Sequence, residues 1–350
     1  MKVMVYEGAK KISVMEVHDL PLASNQMRIQ TMFTGISHGT EMSVYRGTAP
    51  FFQRKKDGDT SLFVPANENE VWSYPIKSCD PGVWYMGYAN VGTVIETGSE
   101  ITDIKVGDVV YSNAPHQTQI IKYECEVVKL PDTIKPEYGI FFTNLMTAYN
   151  GILDTKIKLG DTIVVSGLGV LGQLVAQMAK LSGAFKVYAV EMFDMRIAAA
   201  LENGVDIALS PIKCKDVALE IRKLTDNKGP DSVIEISGNV KALNEAVRIA
   251  APDTTITALG WYQNFCSDLT LSEEFHHNRI AIRCSQSTNI NPEIRHMWDY
   301  KRKEKACIEL LGMLKLGNLI TNTVPYDDIA DAFKLVDSIP GEIIQVMLKY

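Results

Sequence analysis

The sequence predicts an α/β protein with two domains: a doubly wound parallel sheet in the second half of the chain, and a mostly antiparallel, barrel-like β domain in the first. Three observations carry that expectation. Before about residue 130, short β-rich runs follow one another with only Gly, Pro and Asn turns between them. From about residue 145 the pattern changes to strand then helix, repeated. A chain of 350 residues also exceeds what one hydrophobic core organises.

In the first half the β-rich runs are Val3 to Tyr6, Gln26 to Thr34, Gly92 to Glu96, Asp108 to Tyr111 and Gln119 to Tyr123. Residues 47–86, rich in Pro, Asp, Asn and aromatics without a period, read as a long insertion able to touch a substrate. In the second half, strands at Thr162 to Ser166, Lys186 to Val190, Ile207 to Ser210, Ser232 to Ser237, Thr255 to Gly260 and Ile280 to Ser285 alternate with helices at Leu171 to Leu181, Asp194 to Glu202, Lys215 to Thr225 and Lys241 to Ala250. Right-handed crossovers put such helices on both faces of a parallel sheet. A helix near Glu304 to Lys315 and a closing strand Ile344 to Leu348 are left to pack elsewhere. The expected division is residues 1–145, 146–287, and 288–350 returning to the first domain.

Composition narrows the partners. Hydrophobic residues make up 46% and charged residues 22%, and no apolar run reaches bilayer-spanning length, so no membrane partner is expected. A formal charge of -7 disfavours nucleic acid, and the basic run Arg54, Lys55, Lys56 reads as a solvated loop. The six cysteines form no Cys-x-x-Cys pair and the first residues carry no export signal; both suit a cytoplasmic protein.

Ser-Gly-Leu-Gly-Val-Leu-Gly, residues 166–172, stands where a strand hands over to a helix. Gly167 suits the tight turn, Gly169 lets backbone approach a pyrophosphate, and Gly172 lets helix and strand pack closely. Val170 and Leu171 open the helix, whose amino terminus favours negative charge. Glu191 follows 22 residues after Gly169, at the end of the second strand, where a carboxylate accepts the ribose hydroxyl hydrogens of NAD. Arg196, one turn on, is placed to reach the ribose or pyrophosphate.

Further local runs match one family: Thr-Gly-Ile-Ser-His-Gly-Thr-Glu (34–41), Gly-Tyr-Ala-Asn-Val-Gly-Thr-Val-Ile-Glu-Thr-Gly (87–98), Val-Gly-Asp-Val-Val (106–110) and Lys-Leu-Gly-Asp-Thr-Ile-Val-Val-Ser-Gly-Leu-Gly (158–169). With the fingerprint, they make the chain resemble the medium-chain dehydrogenase/reductase superfamily over nearly its whole length. The resemblance implies a GroES-like barrel joined to a Rossmann domain, with Thr147 against the nicotinamide and Ser237, Leu259 and Gly260 lining the dinucleotide crevice. It also implies a homodimer paired through the sixth strand of the nucleotide domain.

The departures from the family carry as much information. Zinc-dependent members have a cysteine near Ser37, Gly-His-Glu where this chain has Gly87, Tyr88 and Ala89, and a cysteine or acid near Thr143. The four cysteines of the structural zinc lobe are missing too, since none stands between Cys79 and Cys125. Hydroxyl side chains are poor zinc ligands, so no metal is expected. The fragment around Ser37 and Tyr88 most resembles a zinc-poor branch that includes bacteriochlorophyllide hydroxyethyl dehydrogenases and dehydrogenases of sugars and cyclitols. Ser285-Gln286-Ser287 with Arg295, Trp298 and Arg302 is similar to its sugar-oxidising side.

Without zinc, a side chain must handle the substrate's hydroxyl proton. Tyr88 and His116 are the leading candidates, with His38 and Glu41 behind them; each also has an ordinary structural reading. The expected cleft lies between the domains and is lined by Ser37, His38, Tyr88, His116, Thr147 and part of the 47–86 insertion. The adjacent His276 and His277 diverge on any regular element and read as surface residues. The leading function is NAD-dependent interconversion of a secondary alcohol and a ketone on a polyol, sugar, cyclitol or hydroxyalkyl small molecule. Alternatives are a zinc-free quinone or enoyl reductase, which Glu191 disfavours by repelling the 2'-phosphate of NADPH, and a non-catalytic nucleotide-binding protein.

Overall fold

A computed structural model describes residues 1–263 and 266–350. The chain divides into two compact units. Unit 1 comprises Met1–Thr143, Asn322–Pro340 and Gln345–Tyr350; unit 2 comprises Asn144–Thr321 and Gly341–Ile344.

Unit 1 is built on a seven-stranded sheet. Val127–Lys129, Val109–Ser112, Asn90–Thr97, Gln26–Gly35, Gln345–Lys349 and Ile320–Pro325 lie in that order, and Gln119–Tyr123 also pairs with Gln26–Gly35. The long Gln26–Gly35 strand is central because its side chains alternate toward and away from a core of Met27, Ile29, Val94, Val110, Ala114 and Ile120. Strands that the sequence runs did not signal include Lys11–Glu16, Ile76–Lys77, Val127–Lys129 and Ile320–Pro325; Lys11–Glu16 and Ile76–Lys77 flank Lys2–Gly8 in a separate three-stranded sheet. The carboxyl-terminal strand closes the sheet antiparallel to the central one, Met347 opposite Gly35.

Unit 2 has six parallel strands ordered Ile207–Leu209, Lys186–Val190, Thr162–Ser166, Ser232–Glu235, Thr255–Ala258, Ala281–Cys284. Numbered along the chain this is 3-2-1-4-5-6, so the direction of winding reverses between the first and fourth strands. The strands are apolar on both faces because helices cover both; Val164, Val233 and Ile256 are fully buried among Ile221, Val247 and Ile249.

The return to unit 1 begins at Asn322, later than the expected residue 288. The cause is the Tyr300–Met313 helix, whose buried face carries Lys303, Cys307, Leu310 and Leu311. Lys303 Nζ donates to Asn150 Oδ1 and to the Ser287 carbonyl, and Gln177 exchanges hydrogen bonds with the Lys315 backbone, so residues 288–321 pack within unit 2. All six cysteines are free. Among the described residues, no helix is long and apolar enough to cross a membrane.

Candidate functional site

In unit 1 the central strand ends at Gly35 and turns through Ser37 and His38 into the Thr40–Arg46 helix. That turn is held from inside. Glu41 Oε1 accepts from the Ser37 backbone N–H at 2.8 Å, and Glu41 Oε2 pairs with His116 Nε2 at 2.6 Å. The other ring nitrogen of His116 bonds Thr34 Oγ1 at 2.7 Å, and Thr34 in turn meets the Tyr350 hydroxyl at 3.0 Å. Glu41 and His116 have no solvent exposure, and both ring nitrogens and both carboxylate oxygens are bonded within the protein.

Of the three positions that the resemblance aligns with zinc ligands, two meet through their hydroxyls, Tyr88 and Ser37, and the third, Thr143, bonds the Tyr88 backbone. The Tyr88 hydroxyl donates to Ser37 Oγ, and Thr143 Oγ1 donates to the Tyr88 carbonyl at 2.9 Å. Tyr111 braces the same carbonyl at 3.0 Å and bonds the Thr143 hydroxyl. Ser37 Oγ also accepts from the Thr40 N–H at 3.3 Å. A serine hydroxyl has two acceptor positions and one donor hydrogen, so with both acceptor positions used, the hydrogen is what Ser37 has left to offer. Burial, reinforced by the nearby Glu41 carboxylate, pushes the Tyr88 phenol up to about 12; its hydrogen bonds to Ser37 and Thr40 offset this only in part. His38 is half-buried beside Ser37 in the same turn.

These residues do not suit a zinc ion. Serine, tyrosine and threonine stand at the positions that the resemblance aligns with zinc ligands, and His116 and Glu41 are bonded to each other, which leaves His38 as the histidine beside Ser37. Among the described residues, no three His, Cys, Asp or Glu side chains gather closely enough to hold a metal ion. His276 and His277 lie on the short exposed Glu274–His277 helix with their rings edge to face.

In unit 2 the fingerprint has the anticipated form. Thr162–Ser166 ends in Gly167, and Gly169 caps the Val170–Leu181 helix with no side chain covering its first N–H groups. A Cβ on Gly172 would lie 1.9 Å from the Gly167 carbonyl oxygen, so that glycine is required by the fold itself. A Cβ on Gly169 would meet nothing nearer than Arg196 Nη1 at 3.9 Å, which leaves an open cradle in front of Val170 and Leu171. These features fit a dinucleotide pyrophosphate.

Glu191 is almost fully buried. Its Oε2 accepts from Leu168 N–H at 2.7 Å, and its Oε1 from Met192 and Phe193 N–H at 2.7 and 3.1 Å. A carboxylate has about four acceptor positions, so one remains for a ribose hydroxyl. Arg196 Nη1 lies 3.8 Å from Glu191; its Nε donates to the Ile343 carbonyl, and its guanidinium rests over the Phe193 ring. Burial lowers the Arg196 pKa, against the pull of Glu191.

On the other side of the switch point, Ser237 and Gly238 form the turn after the fourth strand. Glu235, fully buried, accepts from Ser237 N–H at 2.9 Å and from the Ser237 and Tyr262 hydroxyls. Burial raises the Glu235 carboxyl pKa, and these bonds oppose the rise. Gly260 comes so close to Gly238 that a Cβ would lie 2.4 Å from its nitrogen. Leu259 packs on Gly151 of the Phe142–Thr155 helix, one turn after Thr147. The residues read from the sequence thus form two groups: Gly167, Gly169, Val170, Leu171, Gly172, Glu191, Arg196, Thr147, Ser237, Leu259 and Gly260 in unit 2, and His38, Glu41, Tyr88 and His116 in unit 1.

Comparison with known proteins places the chain among dehydrogenases. A family model described as zinc-binding dehydrogenase matches residues 170–300, all within unit 2 and away from Ser37, Tyr88 and Thr143. The chain is 31% identical to D-guloside 3-dehydrogenase of Escherichia coli strain K12, with 99% of each chain covered. Among solved structures it is similar to 2R,3R-butanediol dehydrogenase from Bacillus subtilis, at a TM-score of 0.78 and 20% identity over 100% of this chain and 99% of that one. It is also similar to galactitol-1-phosphate dehydrogenase from Escherichia coli, at 0.77 and 18% over the full length of both.

Proposed function

Because this chain belongs to the medium-chain dehydrogenase/reductase superfamily, the zinc alcohol dehydrogenase-like oxidoreductases that act on CH–OH groups, we propose that it interconverts a secondary alcohol and a ketone on a glycoside or related sugar, with NAD(H) and without a catalytic metal. The observation that carries the reading is the Tyr88–Ser37 hydroxyl pair at the ligand positions of zinc-dependent relatives.

When bound, the nicotinamide supplies the hydride acceptor or donor. The chain handles the proton. In the reducing direction Ser37 Oγ–H donates to the ketone oxygen while Tyr88 Oη–H replaces it on Ser37. With its pKa up at about 12, Tyr88 is protonated at neutral pH and is an acid matched to an emerging alkoxide. In the oxidising direction the alcohol proton passes to Ser37 and the Ser37 proton to a deprotonated Tyr88. His116 is placed as a positioning residue, because its ring is buried and both nitrogens are bonded. It holds Glu41, and Glu41 holds the Ser37 backbone. His38, next in the chain, is our candidate for passing the proton on to solvent.

Glu191 supports a preference for NAD(H), since a 2'-phosphate would bring negative charge to a buried carboxylate already engaged by three N–H groups. Among the described residues the Ala281–Cys284 strand pairs on one side only, which supports a homodimer formed across that edge. The reaction class is tested by screening gulosides, other glycosides, polyols and cyclitols with NAD and NADP in parallel. Reduction of NAD by a glycoside or sugar is the expected result, and Glu191→Ala should narrow the gap between the two cofactors. Turnover confined to quinones or conjugated enones, or equal use of NADP by the unaltered protein, contradicts the reading.

A further inference from the structure

Resting on the sugar reading above, we infer that the aromatic insertion of unit 1 is a platform for the second ring of a glycoside substrate, the part joined to the anomeric carbon of the ring being oxidised. Phe51 stacks on Trp72 at 4.6 Å, and Trp72 lies 3.7 Å from the Tyr85 ring, which gives a rigid column of three aromatics. Trp84 stands against all three at 6.3, 6.0 and 5.6 Å, meeting them at 89°, 69° and 83°. Among the described residues no aromatic ring lies parallel on it.

Its exposure sets Trp84 apart from a core filler. Tyr85 and Met86, the next two residues, are 7% and 0% exposed, whereas Trp84 is 51% exposed. An indole fixed by three neighbours has already lost its rotamer freedom, so covering it costs little further entropy. The C–H face of a pyranose is apolar and its hydroxyls project from the rim, which suits a flat aromatic surface bordered by polar groups. The same insertion also carries polar groups, the Lys55–Glu70 ion pair and Arg54, which donates to the carbonyl of Phe63, a ring packed on Phe51.

The platform is also tied to the proposed chemistry. Trp84–Met86 packs on the Thr40–Arg46 helix that carries Glu41, and Tyr74 bonds the Val44 carbonyl of that helix. Tyr88 follows Trp84 by four positions, a reach of at most about 14 Å. In the proposed binding mode a ring on Trp84 adjoins one whose oxygen meets Ser37.

The test compares the intact enzyme with Trp84→Ala and Trp84→Phe on methyl α-D-guloside and on a disaccharide carrying D-gulose in the same linkage, and titrates each protein with the disaccharide by tryptophan fluorescence. For Trp84→Ala, kcat/KM on the disaccharide is expected to fall about tenfold through KM, with the methyl guloside and NADH binding little changed. Trp84→Phe should recover most of the loss. An equal loss on both substrates, or none, overturns the platform. Should the unaltered enzyme oxidise neither guloside, the reaction reading fails, and the titration decides the platform alone: saturable binding weakened by Trp84→Ala supports it, and absence of saturable binding to the unaltered protein overturns it.

Discussion

The Glu41 carboxylate and the His116 imidazole meet at 2.6 Å with neither side chain exposed to solvent, although 75 residues separate them in the chain. Removing one member of a buried, hydrogen-bonded pair leaves the other uncompensated, at a cost of about 3–5 kcal/mol. His116→Leu is expected to lower the unfolding free energy of unit 1 by that amount in urea. The double variant Glu41→Leu, His116→Leu should lose less than the two single losses added together. A His116→Leu protein as stable as the unaltered one would remove the pair from its positioning role.

The dinucleotide turn separates fold from ligand at two glycines. Gly172→Ala puts a methyl 1.9 Å from the Gly167 carbonyl oxygen, so it should lower the melting temperature and cofactor affinity together. Gly169→Ala meets only Arg196 Nη1, at 3.9 Å, an ordinary contact that forces nothing to move; it should keep its melting temperature and bind NADH at least about tenfold more weakly. Calorimetry with NADH titration checks both. Undiminished NADH binding by a folded Gly169→Ala protein would place the pyrophosphate elsewhere.

A phenol held up at about 12 gives the two reaction directions opposite demands. As an acid Tyr88 must be protonated, which it is at every pH well below 12, so ketone reduction should not lose rate through this group between pH 6 and 9. As a base it must be deprotonated, so alcohol oxidation should climb about tenfold per pH unit toward 12 where proton transfer limits the rate. Tyr88→Phe should slow both directions by roughly a hundredfold while leaving NADH binding nearly unchanged. Oxidation that levels off near pH 7 would point to a histidine instead, with His38 the first to examine.

Most of unit 2 was legible because its signals are local. Strand, G-x-G-x-x-G, helix, second strand and acid follow one another within residues 162–191, and the six strands appear where β-rich runs alternate with helical ones. In unit 1, the turn at Ser37 and the strand before it are equally local. What holds that turn is not. Glu41 reaches His116, Thr34 reaches Tyr350, and Tyr88 reaches Ser37 across sequence separations of 75, 316 and 51, and no periodicity encodes such pairs. Ser37 stood out as an altered ligand position, but the proposal that it donates rests on Tyr88 and Thr40 filling both its acceptor positions, which only the folded turn brings about. Lys303 hid the late return of the chain: a lysine in a helix reads as surface, yet this one is fully buried against Asn150 and Ser287.

The most direct test is metal content measured together with turnover. Active protein would be exhaustively chelated, its zinc determined by elemental analysis, and its alcohol and ketone kinetics measured before and after, alongside Ser37→Ala. Full activity at well below one metal ion per chain, with Ser37→Ala slowed in the same sample, is the expected result, because the Ser37 and Tyr88 hydroxyls occupy the ligand positions. One tightly held zinc per chain, with activity lost on its removal and restored on its return, would contradict it.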